Sequence, residues 1–221
     1  MNVIVKIWQK YREGKLTEAI LRRVKEALIR RLKQVLNITP FYFYKEGIFK
    51  DDWQGSVNDF DQYETGFLGY EDMKEIGALS RGYGDGASED TLLARIKDGH
   101  KCFGAKYQGK IAAFVWSSFD SCHAPQYRFP LRGNEVYLWD TFTMPSFRGK
   151  GLAPYIWVKF CKELQKLGYD TFYSITLCSN KPALRFRKKL NAKPLILAIH
   201  IRLLKKWSWS WKIKSYRNDM D

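Results

Sequence analysis

A short glycine-containing stretch near the middle of the chain carries the clearest chemical signal. In the run PSFRGKGLA, two cations, Arg148 and Lys150, alternate with Gly149 and Gly151. Glycine leaves the backbone free to bring consecutive amides close to a ligand. Where a helix begins at the end of such a loop, its first amides lack intrahelical partners and its dipole adds positive potential. We therefore expect this loop to bind a phosphate or a pyrophosphate.

The sequence on either side of the loop predicts the elements that position it. Residues 135–144, EVYLWDTFTM, are apolar, β-branched or aromatic at nearly every position, which is typical of a buried central strand. After the loop, apolar residues recur at the three-and-four spacing of a helix with one buried face: Ala153, Ile156, Phe160, Leu164 and Leu167. This order of strand, loop and helix places the loop at a helix N-terminus.

The spacing within the loop distinguishes between phosphate-binding motifs. It matches neither GxxxxGK followed by Ser or Thr nor GxGxxG. The pattern that is present, Arg148-x-x-Gly151-x-Ala153, resembles the acetyl-CoA pyrophosphate loop of the GNAT acetyltransferase family, which is Arg or Gln, two residues, Gly, one residue, then Gly or Ala. The resemblance implies acetyl-CoA as the co-substrate. It also implies a set of pyrophosphate-binding residues: Arg148, Gly149, Lys150, Gly151, Leu152 and Ala153.

A second block follows in the order that the family shows. The run YDTFYSITLC from Tyr169 predicts another buried strand, and ALRFRKKL predicts a helix after it. Three positions match the family pattern here: Asn180, Ala183 and Leu190. Asn180 is therefore added to the cofactor-binding residues. Arg187 stands where family members usually have a tyrosine, so the usual general acid does not transfer. Tyr173, on the second strand, is the alternative candidate for the general acid.

The resemblance, over roughly residues 62 to 213, implies a fold and a thioester site. The expected fold is α/β (α+β), with a GNAT-type mixed, mostly antiparallel central sheet flanked by helices and splayed at the central strands. In the family, main-chain groups before the loop pair with the pantetheine arm, and here these belong to Phe142 and Thr143. An amide at this point would hydrogen-bond the thioester oxygen as negative charge develops on it.

Two carboxylates are candidates for the catalytic base. Glu135 lies 13 residues before Arg148, the spacing at which the histone-acetylating branch of the family carries its catalytic glutamate. Asp140 is an ionisable residue inside an apolar run, and burying an unpaired carboxylate costs several kcal/mol. We therefore expect Asp140 either to pair with a cation or to lie in the acceptor pocket, as base or as anchor for the amine.

The segment between residues 120 and 134 is mixed in character and predicts an irregular loop. By family position it would border the acceptor site. Its side chains Tyr127, Arg128 and Arg132 would then be placed to hold an anionic group of the acceptor. An ordinary surface loop is the alternative interpretation.

Charge is unevenly distributed along the 221 residues, which carry a formal net charge of +15. Residues 1–37 hold ten basic and three acidic side chains, a net charge of +7. We predict a basic amphipathic helical extension over residues 1–37 and a GNAT-like acyltransferase domain over residues 38–221. The excess charge indicates an acidic partner: the phosphates of CoA, an anionic membrane surface or nucleic acid.

Two segments leave the choice of partner open. The helical extension either packs on the domain with its charges in water or lies on anionic lipid. RNA is disfavoured because this helix has few aromatic side chains for base stacking. Trp207, Trp209 and Trp211 alternate with serines and share one strand face. This face is covered by the domain, by a second subunit in a homodimer, or by a membrane interface that also attracts the flanking lysines.

The cysteines and the apolar runs indicate a compartment. Cys102, Cys122, Cys161 and Cys178 are scattered without ligand-like spacing, so we predict no metal site and a reducing environment. No window approaches 18 uninterrupted apolar residues. The expected location is the cytoplasm. The alternative is a cytoplasmic protein that is attached peripherally to the inner face of a membrane.

These observations lead to one main hypothesis and two alternatives. The main hypothesis is an N-acyltransferase that moves an acetyl group from acetyl-CoA directly to an amine, with a small molecule such as an amino sugar as acceptor. The first alternative keeps the fold but takes a longer acyl-CoA or an acyl-carrier protein as donor. The second is a non-catalytic module of the same fold that binds membrane or RNA.

Overall fold

A computed structural model of the chain describes residues 11, 18, 20, 22–23, 25–26, 35–46, 60–80, 86–204 and 206–216. The strands within these residues are β1 (Leu36–Glu46), β2 (Tyr63–Leu68), β3 (Lys101–Tyr107), β4 (Lys110–Ser118), β5 (Ser121–Ala124), β6 (Tyr127–Pro130), β7 (Glu135–Thr143), β8 (Thr171–Leu177), β9 (Pro194–Leu203) and β10 (Trp207–Ser215). The α-helices are α1 (Tyr70–Ser80), α2 (Glu89–Lys97), α3 (Leu152–Lys166) and α4 (Lys181–Lys189).

The chain divides into two compact units. The first consists of residues 1–39 and 199–211, and the second, which we call the core unit, consists of residues 40–198 and 212–221. In the first unit, the described residues before β1 are helical: Tyr11, Glu18, Ile20, Arg22, Arg23, Lys25, Glu26 and Val35. The rest of the predicted amphipathic helix lies outside the described residues, so that helix stays a prediction.

The core unit is built around a mixed sheet. Its strands follow the order β1-β8-β7-β4-β3-β2. The pairs β1–β8, β2–β3, β3–β4 and β4–β7 are antiparallel, whereas β7–β8 is parallel. The helices α1 to α4 accompany this sheet, and the expected α/β fold with a mostly antiparallel sheet is confirmed.

Strand β4 shows how the sheet buries both of its faces. Val115 packs in a core cluster that includes Ile156 and Phe160 of α3. Its neighbour Trp116 packs in a second cluster, with residues of α1 and α2 such as Met73. Because successive side chains of a strand point to opposite faces, a strand buried on both sides must be apolar at every position. This explains the continuous run IAAFVW within β4.

Local signals place several element boundaries correctly. The Ser88 hydroxyl accepts a hydrogen bond from the Thr91 amide and caps α2, as the sequence predicts. The predicted two-residue turn between β3 and β4 has positive φ at Gln108 (50°) and Gly109 (75°). Two successive residues of positive φ are characteristic of the tight turns that suit the twist of a hairpin.

Strand β1 begins earlier than the sequence suggests. The run Ile38-Thr39-Pro40 predicts the end of a helix and the start of a strand, yet β1 already starts at Leu36. Proline lacks an amide hydrogen but keeps a carbonyl, and the Pro40 oxygen accepts from the Cys178 amide at 2.9 Å. The proline therefore fits inside the strand without leaving its carbonyl unpaired.

The segment predicted as an irregular loop contains a hairpin instead. Strands β5 and β6 pair in register from Ser121↔Pro130 to Ala124↔Tyr127. Cys122 and Ala124 are buried and their neighbours are not, so the strand has one apolar face. Each strand has only four residues, and Pro125 follows β5 while Pro130 ends β6, so the alternation is too short to be recognised in the sequence alone. None of the helices among the described residues is both long and apolar enough to cross a bilayer.

Candidate active site

The parallel strands β7 and β8 separate along their length. Their register covers three residue pairs and ends at Tyr137↔Tyr173. Beyond this point β7 continues to Thr143 beside β4, and β8 continues to Leu177 beside β1. Beyond Tyr137 and Tyr173, the facing edges of β7 and β8 are not paired with each other. This divergence is the splay of the central strands that the resemblance implies.

A bulge lies within the divergent part of β7. In the β4–β7 register the pair Trp116↔Trp139 is followed by Phe114↔Phe142, so that one residue of β4 faces two residues of β7. Asp140, the first of these two, has a φ of 45°. Aspartate tolerates this left-handed conformation better than most residues. A bulge bends its strand and re-aims the side chains that follow, here next to the splay.

The glycine loop lies between the divergent end of β7 and the start of α3. A short 3-10 helix, Pro145–Phe147, follows β7, and Gly149 and Gly151 then have φ values of 79° and 85°. Gly151 is the N-cap of α3, makes no side-chain capping bond, and is followed by a first turn without acidic residues. The first amides of α3 thus retain the positive potential that suits an anion.

The two cations of the loop differ in their contacts. The Nε of Arg148 donates to the Thr143 carbonyl at 3.0 Å, and its guanidinium lies 5.5 Å from the Phe142 ring centroid. This bond folds the arginine back onto the end of β7 and fixes the entry to the loop. Lys150 is exposed, with Nζ 5.5 Å from the Phe147 ring centroid. Its charge is therefore placed at the solvent side of the loop.

The other two predicted loop residues, Leu152 and Ala153, have apolar side chains, so only their main-chain amides could bind a phosphate. Leu152 is 1% exposed and packs in the core cluster of α3, while Ala153 is half-buried. Asn180, the remaining predicted cofactor residue, is the N-cap of α4 and its side chain accepts from the Ala183 amide at 3.2 Å. The side-chain oxygen of Asn180 therefore has a structural partner in the helix that it caps.

Two buried hydroxyls in the divergent strands have no hydrogen-bond partner among the described residues. They are Thr143 Oγ1 on β7 and Ser174 Oγ on β8. Both residues lie beyond the last β7–β8 pair. Burying a hydroxyl without a partner is costly, and such groups in native structures call for an explanation. A ligand with amide groups, inserted between the strands, would satisfy both hydroxyls, and the pantetheine arm of CoA has that chemistry.

Arg187 occupies the position of the family's tyrosine and is held by an ion pair. Its Nη1 donates to Glu46 Oε1 at 2.7 Å, and the other oxygen of Glu46 accepts from Trp157 Nε1 at 3.0 Å. The guanidinium also lies 4.0 Å from the Trp157 ring centroid. A guanidinium remains protonated throughout the physiological range, so this side chain links β1, α3 and α4 rather than donating a proton.

Asp140 pairs with a cation, one of the two alternatives expected for it. Its Oδ2 lies 3.3 Å from Arg95 Nη1, and both side chains are largely buried. The guanidinium of Arg95 also lies 4.3 Å from the Trp139 ring centroid. The ion pair lowers the cost of burying the carboxylate and keeps one of its oxygens occupied. The role of Asp140 as base or as anchor for the amine stays a prediction.

Glu135 lies at the joined end of β7, opposite to the glycine loop. Its Oε1 accepts from the Tyr173 hydroxyl at 3.0 Å and its Oε2 from the Arg132 amide at 2.9 Å. Burial, and next the bond to Glu135, raise the pKa of Tyr173 above its usual value. Along the strand, Glu135 and Asp140 are five residues apart, about 16 Å. The role of Glu135 as base stays a prediction.

The structure brings together two histidines, His100 and His123, that no sequence pattern singles out. The rings of His100 and His123 are 5.4 Å apart, and His123 stands edge-on to Trp139 at 4.8 Å. Burial lowers the pKa of both imidazoles, and the proximity of His100 lowers that of His123 further. Neutral imidazoles accept protons. The rings of His100 and His123 lie beside Trp139, the residue that directly precedes the bulge. His123 belongs to strand β5 of the hairpin β5–β6.

Comparison with known proteins gives a consistent assignment. The family model described as the acetyltransferase (GNAT) family matches residues 48–192. Among curated proteins none matches the chain. A GNAT-family putative acetyltransferase from Novosphingobium aromaticivorans superposes with a TM-score of 0.52 at 20% identity, over 75% of this chain and 64% of that chain. An acetyltransferase of the GNAT family from Colwellia psychrerythraea gives 0.52 at 14% identity, over 83% and 59%.

At these identities the solved structures show the fold alone, and this chain spans less than two thirds of the length of each of them. The family model covers more than half of the chain and carries the assignment. Acetyltransferases of this family use acetyl-CoA as the acyl donor. The glycine loop, the splay and the two buried hydroxyls fit that molecule. The chain therefore belongs to the GNAT acetyltransferase family.

Proposed function

We propose that the protein is an acetyl-CoA-dependent N-acetyltransferase whose acceptor is the amine of a small molecule such as an amino sugar. One observation carries the proposal: β7 and β8 diverge after Tyr137↔Tyr173, and the divergent end of β7 leads through the glycine loop into α3. An elongated ligand with an anionic end and an amide-bearing arm matches these two features together. Acetyl-CoA supplies the activated acetyl group of the reaction.

The loop and the divergent strands hold the donor in this proposal. The amides from Gly149 to Ala153 face the pyrophosphate, and Lys150 adds a full charge at the solvent side. Thr143 and Ser174 offer their hydroxyls to the pantetheine arm. The main chain at Phe142 and Thr143 is our candidate for the donor that polarises the thioester oxygen. None of these contributions except the lysine charge depends on an ionisable side chain.

The histidine pair supplies the base. His123 is half-buried beside Trp139, and burial keeps its imidazole neutral at pH 7 by lowering its pKa. We assign it the role of accepting the proton that the amine loses, with His100 as the neighbour that disfavours the charged form. An amine with a pKa near 8 is neutral in roughly one molecule in ten at pH 7, so an imidazole suffices as base.

Asp140 and Trp139 form the acceptor side of the proposed site. A carboxylate attracts the ammonium form of the acceptor, and the half-buried indole of Trp139 lies next to it in the chain. The Asp140–Arg95 pair holds the carboxylate in place, so the anchor is fixed before the acceptor arrives. A small cationic acceptor fits this arrangement better than a peptide.

Calorimetry with a matched pair of glycine variants tests the donor site. Gly151→Glu places a carboxylate in the loop, whereas Gly168→Glu makes the same change at the far end of α3, where φ is 92° and the surroundings are open. Both variants bear the strain of a side chain at positive φ. We expect Gly151→Glu to lose acetyl-CoA binding and Gly168→Glu to keep it. Equal affinity in the two variants would contradict the assignment of the loop.

A second measurement separates acetyl-CoA from the other donors considered. Purified protein is given an amino sugar with acetyl-CoA, with a long-chain acyl-CoA, or with an acyl-carrier protein, and free thiol is followed. We expect turnover with acetyl-CoA to exceed that with the other two. A preference for the carrier protein would overturn the choice of donor and leave the fold assignment intact.

A further inference from the structure

Strand β10 is exposed along its whole length. All nine of its residues are exposed to solvent. Its large apolar side chains alternate along the strand and therefore share one face: Trp207, Trp209, Trp211 and Ile213, which are 56%, 44%, 70% and 55% exposed. The described residues leave each of these indoles at least 44% exposed. A row of three exposed indoles on one strand is unusual for a protein surrounded by water on all sides.

The same stretch of chain has only one sign of charge. Residues 199–216 contain five basic side chains and no acidic one: Arg202, Lys205, Lys206, Lys212 and Lys214. Lys206, Lys212 and Lys214 are among the described residues and are exposed. The partner of this surface must therefore tolerate both large apolar rings and a high local density of positive charge.

A second copy of the chain satisfies only the first of these requirements. In a two-fold interface that pairs β10 with its copy edge to edge, lysines of one strand would lie close to lysines of the other. Like charges that face each other across paired strands are destabilising. An anionic surface with an apolar interior meets both requirements, because indoles favour the boundary between water and lipid while lysines attract lipid phosphates.

We propose that β10 is a docking strand that attaches the protein to an anionic lipid surface. The indoles of Trp207, Trp209 and Trp211 insert at the level of the headgroups. Lys212 and Lys214 alternate with them and start from the opposite face of this edge strand, so their long side chains reach past the strand edge to the phosphates, as does Lys206 from the preceding turn. Leu204, at the turn between β9 and β10, is 49% exposed and extends the apolar contact. The proposal concerns a surface of the strand itself and does not depend on the acyltransfer reaction.

Co-sedimentation of the full chain with vesicles tests the proposal. Phosphatidylcholine vesicles that contain phosphatidylserine are compared with vesicles of phosphatidylcholine alone. We expect the unmodified protein to bind the first kind more tightly, with a partition coefficient that falls as salt is raised. Each basic residue near an anionic surface contributes enough that reversing two charges lowers the partition coefficient about tenfold or more.

Two pairs of double variants separate lipid binding from general effects of composition. Trp209→Ser with Trp211→Ser removes two indoles, and Leu167→Ser with Tyr70→Ser removes two exposed apolar side chains of the core unit as a control. Lys212→Glu with Lys214→Glu reverses two charges of the strand, and Lys74→Glu with Lys110→Glu reverses two exposed charges elsewhere. We expect large losses of vesicle binding for the β10 variants and small ones for the controls.

Two outcomes overturn the proposal. One is equal loss of binding in the β10 variants and in their controls, which would reduce the effect to net charge and composition. The other is that the unmodified protein sediments as a dimer, while the variant Trp209→Ser with Trp211→Ser is monomeric and binds vesicles as well as the unmodified protein does. Acetyl-CoA affinity measured on the same variants keeps this test apart from that of the proposed function, because we expect the affinity to stay constant.

Discussion

Arg187 and Glu46 form a buried ion pair, with Nη1 and Oε1 2.7 Å apart and both side chains 6% exposed. The two residues are 141 positions apart in the chain. Glu46 also accepts from Trp157 Nε1, so both carboxylate oxygens have partners. Arg187, at the position where the family resemblance implies a tyrosine, thus joins elements of the core unit. Chemistry that needs a proton donor at this point must use another group.

Removing one partner of this pair is expected to destabilise the fold strongly. Glu46→Gln leaves the Arg187 guanidinium buried without its counter-charge, which costs about 3–5 kcal/mol in free energy of unfolding. Urea denaturation measures the loss. Glu163→Gln serves as control, because Glu163 and Lys166 are also 2.7 Å apart but are exposed, and such pairs contribute about 1 kcal/mol or less. Similar losses in the two variants would show that burial does not set the strength of the Glu46 pair.

The hydroxyl of Thr143 should affect stability and binding in opposite directions. Thr143→Val keeps the shape and removes a buried Oγ1 that has no partner. Without ligand we expect the free energy of unfolding to rise by about 1 kcal/mol, and acetyl-CoA affinity to fall several-fold. Thr171→Val is the matched control, since its Oγ1 donates to Asp170 Oδ1 at the joined end of β8. Unchanged affinity in Thr143→Val would remove this hydroxyl from the donor site.

His123→Gln tests the identity of the base. General base catalysis contributes about 10²–10⁴ in rate, so we expect kcat to fall by a factor in that range while acetyl-CoA affinity stays constant. The acid limb of the kcat profile, which lies below pH 6.5 because burial lowers the pKa of His123, should disappear as well. His200→Gln is the control, because His200 and its hydrogen-bond partner Ser210 both lie in the first unit and not in the core unit. An acid limb that persists in His123→Gln would return the role to a carboxylate.

The histidine pair should also make stability depend on pH. Burial lowers the folded-state pKa of His100 and His123, so the unfolded chain binds protons at a higher pH than the folded one. Stability is therefore complete above the unfolded value near 6.5 and is lost as the pH falls from there through the lower folded values. Thermal unfolding between pH 7 and pH 5 measures this. In the double variant His100→Gln with His123→Gln we expect a flatter profile, and an unchanged slope would contradict the assignment.

Local patterns in the sequence were sufficient for the elements around the loop. The alternation of Arg148 and Lys150 with glycines, the apolar run before them and the helical spacing after them each depend on neighbours within a few residues. The strand–loop–helix order and the positive φ expected of a glycine such as Gly151 were therefore predictable, whereas the mixed sheet followed from the family resemblance. The tight turn at Gln108 and Gly109 was predictable for the same reason.

Tertiary structure alone decided which distant side chains meet. His100 and His123 come together because β5 folds back as a hairpin beside β7, and Glu46 reaches Arg187 because β1 pairs with β8. A sequence pattern reports the preference of a residue for its own backbone state, whereas a contact across strands depends on register and on the place of each strand in the sheet. For this reason the sequence determined the strand–loop–helix order around the glycine loop, whereas the meeting of His100 with His123 and the pairing of Arg187 with Glu46 became visible only in the folded chain.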